Sequence, residues 1–134
     1  MLTLAYLYSS GYNNNQIRYE IMHEQNICES LLALAIKHAE QANAARILRI
    51  YLVVGEYSGV VDESVEFYFR LLSKGTIAEG ADIDFTHVPA QLRCRICNTV
   101  FTPEYLNLRC PNCNEQQVEI ASGKEMYLES LEVE

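Results

Sequence analysis

The chain has 134 residues, of which 49% are hydrophobic, and a formal net charge of −8. This length predicts one domain, or one domain with a small insert, and a modest core. The acidic balance argues against a nucleic-acid partner, because phosphate contacts need clusters of Lys and Arg, and it suits cationic ligands or a basic protein partner. The sequence has no run of eighteen apolar residues, so no membrane-spanning segment is predicted.

The first 21 residues differ from those that follow. They contain Asn13-Asn14-Asn15 and sustain neither helical nor strand periodicity. They also lack the basic start of a signal peptide. We interpret residues 1–21 as an N-terminal extension or leader, with three origins open: an expression leader, a start codon assigned too early, or a real extension that packs somewhere. Met22 supplies the start for the second of these.

Apolar residues recur at nearly four-residue steps from Ile27 onward, which predicts a first helix. Asn26 is the expected N-cap, with Glu29 completing a capping box, and Asn43 is the expected stop. Cys28 lies on the apolar stripe. We therefore expect it to be a small buried hydrophobe rather than a ligand or nucleophile.

Two strands and a second helix are predicted next. Residues 46–56 alternate as a strand does, and a turn over 55–59 leads to a helix capped by Asp62. Ile83, Phe85 and His87 then alternate in a second strand, and His87 is expected to be a strand-face residue rather than a ligand. The second helix has its apolar stripe at Val65, Tyr68, Phe69 and Leu72.

The strongest chemical signal is a pair of Cys-x-x-Cys knuckles formed by Cys94, Cys97, Cys110 and Cys113. Their spacing lets four thiolates converge on one tetrahedral Zn²⁺, and no fifth ligand is evident, so the predicted site is closed and structural. Iron bound by four cysteines has similar ligand needs, and the spacing does not distinguish it from zinc. Disulfides are disfavoured, because they would leave Cys28 as an odd thiol.

Three arginines lie close to the knuckles in sequence: Arg93, Arg95 and Arg109. Four thiolates around one Zn²⁺ carry a net charge of −2, and guanidinium groups nearby would stabilise that charge. We therefore expect these arginines around the metal. The site itself is expected to fold a small lobe rather than to perform chemistry.

The last part of the chain predicts a return to the first sheet. A final strand over residues 125–133 carries enough apolar residues for this, and its imperfect alternation suggests a bulge. The expected architecture is α+β, with two helices packed on a three-stranded sheet and an inserted four-cysteine zinc-ribbon lobe. The predicted units are the sheet unit, residues 22–89 and 121–134, and the zinc-binding unit, residues 90–120.

One further motif is Met22-His23-Glu24. In a chain that began at Met22, a free amine, a backbone amide nitrogen and the His23 imidazole would lie within two residues, with the Glu24 carboxylate beside them. Such nitrogen-rich arrays favour square-planar or tetragonal Ni²⁺ or Cu²⁺. The motif alone is weak evidence, since Glu24 could simply favour the N-terminus of the helix.

Taken together, these features resemble the HypA/HybF family of nickel metallochaperones, and the resemblance runs in order from Met22 to Val133. It implies a non-enzymatic cytoplasmic protein that binds Ni²⁺ and, with the GTPase HypB, delivers it to the large-subunit precursor of [NiFe]-hydrogenase; some members also serve urease. Besides the two knuckles, the matching segments are Met22-His23-Glu24, Gly55-Glu56-Tyr57-Ser58, Gly75-Thr76 and Ala78-Glu79-Gly80-Ala81.

The resemblance also implies a role for particular residues. Nickel would be held by Met22, His23 and Glu24, in a nickel-binding domain made of the sheet unit. Asp62 falls near an acidic position of the family that is close to nickel, although the local spacing differs by one residue. The zinc ligands would be Cys94, Cys97, Cys110 and Cys113.

The sequence departs from the family pattern at Met22, which is internal here and offers an amide instead of an amine. Either the native protein begins at Met22, or nickel is bound more weakly or by another ligand set. The alternative function is a zinc-ribbon interaction module without nickel transfer. An enzyme is disfavoured because no nucleophile with its base is visible, and no phosphate-binding loop is present, so nucleotide hydrolysis would belong to a partner. A monomer and a weak or domain-swapped dimer are both compatible with the sequence.

Overall fold

The computed structural model describes residues 2–5, 24–104 and 107–134. This part of the chain forms two α-helices and seven β-strands. In order they are β1 (Leu2–Ala5), α1 (Glu24–Gln41), β2 (Ile47–Gly55), α2 (Asp62–Leu72), β3 (Asp82–Val88), β4 (Gln91–Cys94), β5 (Val100–Phe101), β6 (Val118–Ser122) and β7 (Met126–Val133).

The larger sheet has the strand order β1-β7-β2-β3. β2 and β3 are parallel and are connected through α2, whereas β7 runs antiparallel to both β2 and β1. The α+β class with two helices on this sheet is confirmed. The three expected strands are present, and β1 adds a fourth at the edge of β7, because residues 2–5 pair with Ser130–Val133 through the backbone.

The core lies between this sheet and the two helices. Ile50, Leu52 and Val54 point from β2 into the core with at most 1% of their surface exposed, as the alternation in sequence predicts. Helix α1 contributes its four-residue stripe and α2 contributes Val65 and Phe69, both buried. Cys28 is fully buried on the α1 stripe, and its Sγ lies 3.6 Å from the Val65 carbonyl. Its predicted role as a small hydrophobe is confirmed.

Helix boundaries differ from the sequence expectation at both N-termini. α1 begins at Glu24, so Asn26 is its third residue and not its N-cap. α2 begins at Asp62 and Val61 occupies the N-cap position, so Asp62 is not a cap either. Its carboxylate pairs with a histidine instead, and an acid in the first turn still favours the helix dipole. The expected stop at Asn43 is confirmed by its left-handed backbone, with φ 55°.

The imperfect alternation of the last strand has a structural cause. Tyr51 of β2 pairs with Ser130, but the next residue, Leu52, pairs with Leu128, so Glu129 is an extra residue in β7. This register shift turns both Leu128 and Leu131 toward the core, where neither is exposed. The bulge expected from the sequence is confirmed.

A second sheet of three strands, ordered β5-β4-β6, is inserted between β3 and β7. Cys94 ends β4 and the other three knuckle cysteines lie between the strands of this sheet, which forms the ribbon lobe that the sequence predicts. Leu92 of β4 is buried and lies opposite Phe101 on one side and Ile120 on the other. Among the described residues, no helix is both long and apolar enough to cross a membrane.

Candidate metal centres

The four knuckle cysteines meet at one end of the ribbon. All four Sγ atoms lie within 4.8 Å of one another, and Cys94–Cys113 and Cys97–Cys110 are each 3.5 Å apart. Four sulfurs at about 2.3 Å from a tetrahedral zinc ion would lie about 3.8 Å from each other. The observed spacing fits such an ion. Cys94 and Cys110 are buried, while Cys97 and Cys113 are half-buried, so the cluster is closed on one side by the ribbon.

Each knuckle is closed by an asparagine that the sequence reading did not single out. Asn98 and Asn114 follow the second cysteine of their knuckles and adopt φ of 61° and 62°, where asparagine is tolerated. Their backbone N–H groups donate to the carbonyls of Cys94 and Cys110, in both cases at 2.9 Å. The signal for these residues was present as the repeated pattern Cys-x-x-Cys-Asn.

The thiols of the cluster influence each other's protonation. Thr99 lies 3.2 Å from the Cys97 Sγ, and its hydroxyl and backbone N–H lower the pKa of Cys97 to about 5. The backbone N–H of Glu115 lowers the pKa of Cys113, but burial and the neighbouring thiols outweigh it and raise that pKa to about 12. Four thiolates at this spacing would repel one another if no cation were present. A bound divalent cation stabilises the thiolate form of all four.

The arginines surround the ribbon, and their hydrogen bonds go to oxygen atoms. Arg93 and Arg95 lie 3.4 Å and 3.6 Å from the Glu119 carboxylate, and Arg109 donates to the Asn114 carbonyl at 3.2 Å. Arg109 therefore supports the backbone of the second knuckle directly. The other two flank the first cysteine of the first knuckle in sequence, and both are paired with Glu119.

A second group of polar residues lies where the parallel strands end. β2 and β3 are parallel, so Gly55 and Val88 finish at the same edge of the sheet, and α2 begins just after β2. α1 joins β2 through only five residues, so it runs back along β2 and begins at this same edge. The contact of Cys28 with Val65 supports this, since each residue is in the first or second turn of its helix.

At this edge, Asp62 and His87 form a pair. Asp62 Oδ2 and His87 Nε2 are 2.8 Å apart, and the two side chains are 30% and 58% exposed. The expectation that His87 lies on a strand face is confirmed, but its partner was not foreseen. Met22 and His23 lie outside the described residues, and Glu24 is described only as the first residue of α1. The structure therefore gives no geometry for the predicted nickel ligands.

Glu56, which follows β2, makes hydrogen bonds to the backbone on both sides of Pro89. Its backbone N–H donates to the Val88 carbonyl at 2.9 Å, and its carboxylate accepts from the Ala90 N–H at 2.7 Å. Ala90 stands between β3 and β4, where the ribbon begins. Glu56 therefore ties the end of the larger sheet to the start of the ribbon, which positions the lobe relative to the helices.

Comparison with known proteins gives a consistent result. Residues 22–133 match the family model described as "Hydrogenase/urease nickel incorporation, metallochaperone, hypA". A hydrogenase maturation factor HypA from Dehalococcoides mccartyi is 44% identical over 113 residues, which cover 84% of this chain and 95% of the relative. The hydrogenase maturation factor HybF from Escherichia coli O157:H7 is 31% identical over 84% of this chain and all of its own length.

Solved structures agree with the sequence relatives. A solution structure of a HypA protein superposes with a TM-score of 0.67 at 32% identity, and covers 84% of this chain and 96% of its own. The solution structure of the nickel metallochaperone HypA from Helicobacter pylori gives a TM-score of 0.60 at 29% identity, with 82% and 96% covered. With a four-cysteine metal site and a family match across residues 22–133, the chain belongs to the HypA family of hydrogenase and urease nickel-incorporation metallochaperones.

Proposed function

We propose that this protein binds Ni²⁺ at the start of α1 and delivers it, with a HypB-type GTPase, to the large-subunit precursor of [NiFe]-hydrogenase, and that urease is a further acceptor. It acts in the cytoplasm, where its thiols stay reduced. The observation that carries the proposal is the family match over residues 22–133, which begins at the Met22-His23-Glu24 motif.

The two metals are assigned by ligand chemistry. Zinc is the resident ion of the ribbon, held by the four thiolates, and supplies the cross-link that folds residues 90–120. Nickel is the cargo of the sheet unit, residues 22–89 and 121–134, where imidazole, amide nitrogen and carboxylate donors suit it. Met22 contributes backbone nitrogen, His23 its ring and Glu24 its carboxylate.

Delivery proceeds by ligand exchange. A short set of ligands at the start of a helix holds the ion firmly enough to carry it, and an acceptor can replace those ligands one at a time. The acidic surface, with a net charge of −8, favours approach of a cation and of basic partner surfaces. The hydrogen bond from the Ala90 N–H to the Glu56 carboxylate connects the ribbon to the sheet unit. A partner that docks on the ribbon can affect the proposed nickel site through this bond.

Replacing His23 by alanine tests the nickel assignment. We expect nickel affinity to fall about a hundredfold or more, because a direct ligand is lost and even outer-shell partners of a metal cost 10–100-fold. Zinc content and the far-UV circular dichroism spectrum should be unchanged. Calorimetric titration of zinc-loaded protein with Ni²⁺ measures the affinity, and His38→Gln, in the last turn of α1, is the matched control.

The alternative is a ribbon that only docks a partner, for which exposed apolar residues such as Ile96, Val100 and Leu108 provide a surface. This alternative predicts the same nickel affinity with and without His23, and that result would overturn the nickel proposal. Titration of a second protein that begins at Met22 tests whether the terminal amine is a ligand. Tighter nickel binding by the shorter chain would mean that the amine binds nickel. Equal binding would mean that His23, Glu24 and backbone nitrogen are the ligands in both chains.

A further inference from the structure

Helix α2 buries one face and exposes a second apolar pair on the opposite side. Val65 and Phe69 are buried, with 0% and 3% of their surface exposed. Phe67 and Leu71 are also one helical turn apart, but they point away from the core and are 62% and 53% exposed. Among the described residues, Phe67 is the most exposed large hydrophobic side chain. Adjacent apolar side chains on one exposed face indicate a contact surface, whereas scattered ones do not.

The Phe67 ring is held in place by its neighbour. It makes an edge-on contact with Tyr68, with ring centroids 5.4 Å apart and ring planes at 76°. Tyr68 is partly buried and packs against the hydrophobic core. A side chain that is already ordered loses less conformational freedom when it binds, so this ring is suited to anchor a contact.

The charges beside this apolar pair are divided along the helix. Glu63 and Glu66 lie in its N-terminal half. Arg70 lies in its last turn, and Lys74 follows just after the helix ends. All four are exposed, and none of them forms an ion pair with another described residue. The outer face of α2 is the name we give to the surface made of Glu63, Glu66, Phe67, Arg70, Leu71 and Lys74.

This outer face is complementary to a second copy of itself. When two α2 helices pack antiparallel across a two-fold axis, the acidic half of each lies opposite the basic half of the other. Phe67 and Leu71 of the two copies then meet near the axis. A parallel arrangement would place like charges opposite each other, which is unfavourable. The charge order along α2 therefore selects the antiparallel pair.

The size of the contact determines its strength. α2 has 11 residues and is about 16 Å long, so the buried area is smaller than the ~800 Å² per partner of a standard interface. Interfaces of this size are weak and reversible. We therefore expect a dissociation constant above about 1 µM.

We propose that the outer face of α2 is a homodimer interface, in which two copies of the folded chain pair antiparallel through this helix. The inference goes beyond metal delivery, since the interface uses none of the cysteines and no residue that we propose to bind nickel. It also differs from a domain-swapped dimer, which exchanges a segment between chains and does not need this face.

Sedimentation velocity of the full zinc-loaded chain tests the apolar part of the interface. The unchanged protein should shift from monomer toward dimer as its concentration rises to about 1 mM. Leu71→Gln should weaken dimerisation at least about tenfold, because it removes an apolar side chain from the centre of the contact. Leu108→Gln is the matched control and should dimerise as the unchanged protein does, since Leu108 is 49% exposed but lies between β5 and β6.

Charge reversal tests the antiparallel arrangement. Glu63→Lys combined with Glu66→Lys makes the outer face entirely basic, and Arg70→Glu combined with Lys74→Glu makes it entirely acidic. In an antiparallel pair each double variant alone places like charges opposite each other, so each should dimerise at least about tenfold more weakly. An equimolar mixture of the two should recover the association, because a basic face then meets an acidic one.

The outcomes that would overturn the proposal are distinct. The control for net charge is Glu40→Lys combined with Glu129→Lys, at two exposed positions outside the outer face. A chain that stays monomeric at about 1 mM forms no such dimer. A dimer that Leu71→Gln and the charge variants weaken no more than their controls do is formed by another surface. Weakening without recovery in the mixture contradicts the antiparallel pairing. Circular dichroism and zinc content check that each variant is folded, and no nickel measurement is involved, so the proposed function is tested separately.

Discussion

Replacing Cys94 by alanine is expected to unfold the ribbon lobe and to reduce bound zinc from about one equivalent to almost none. Cys94 is fully buried and begins the first knuckle, where its carbonyl also accepts from Asn98. Structural zinc contributes on the order of 10 kcal/mol of folding free energy, so loss of one ligand removes the main term that holds residues 90–120. Elemental analysis measures the metal, and amide NMR spectra report the loss of dispersed ribbon signals.

The control for this change is Cys28→Ala. Cys28 is equally buried, but it lies in α1 against Val65 and belongs to the hydrophobic core. Its replacement removes one buried sulfur and should cost about 1 kcal/mol, with zinc content unchanged. A ribbon that kept its dispersed signals and its zinc after Cys94→Ala would show that the four cysteines are not the structural site.

Replacing Gly55 by alanine should destabilise the protein by about 4 kcal/mol, because two backbone segments meet there. A Cβ on Gly55 would overlap the Gly123 carbonyl and would lie 2.7 Å from the Glu125 nitrogen. Backbone atoms cannot rotate away as a side chain can, so overpacking of about 3 kcal/mol is expected. The clash also disturbs the bonds from Tyr57 N–H to the Gly123 carbonyl and from Gly55 N–H to the Glu125 carbonyl, both 2.6 Å.

Gly75→Ala is the matched control, because it replaces a glycine by alanine at a position without a steric clash. Gly75 has φ 77°, but no atom lies within 4 Å of the position its Cβ would take. Alanine there should cost about 1–2 kcal/mol, the penalty of a left-handed backbone alone. Urea unfolding curves give both values through their midpoints and slopes. If Gly55→Ala lowers the free energy of unfolding no more than Gly75→Ala does, the backbone at Gly55 and Gly123 can move apart to accept a Cβ. The contact between these two glycines would then not fix the position of the ribbon.

The sequence was informative where one physical requirement dominates. Four cysteines in two knuckles have the spacing to share one ion, and the structure brings all four sulfurs within 4.8 Å of one another. The stripes of α1 and α2 and the alternation of β2 likewise predict which faces are buried, since burial of apolar surface decides them. The fold class and the inserted ribbon follow from these features together.

Other features depend on contacts between segments that are distant in sequence. The local sequence pattern of each segment does not predict such contacts. Asp62 and His87, which pair, are 25 residues apart in sequence. Taken alone, Asp62 indicates the start of a helix and His87 indicates a strand face. The close approach of Gly55 to Gly123 is equally non-local. β1 pairs with β7 through backbone groups, which any short extended segment offers. Asn26 failed as a cap because Glu24 and Gln25 are good helix formers and extend the helix past it.

The measurement that tests the central claim most directly is X-ray absorption at the zinc and nickel edges of the full chain, loaded with one equivalent of each metal. We predict four sulfur neighbours at about 2.3 Å around zinc, and nitrogen and oxygen neighbours alone around nickel. That result would place the two metals in separate centres, with zinc in the four-cysteine ribbon site and nickel outside it. Sulfur neighbours around nickel, or nitrogen and oxygen around zinc, would contradict the account.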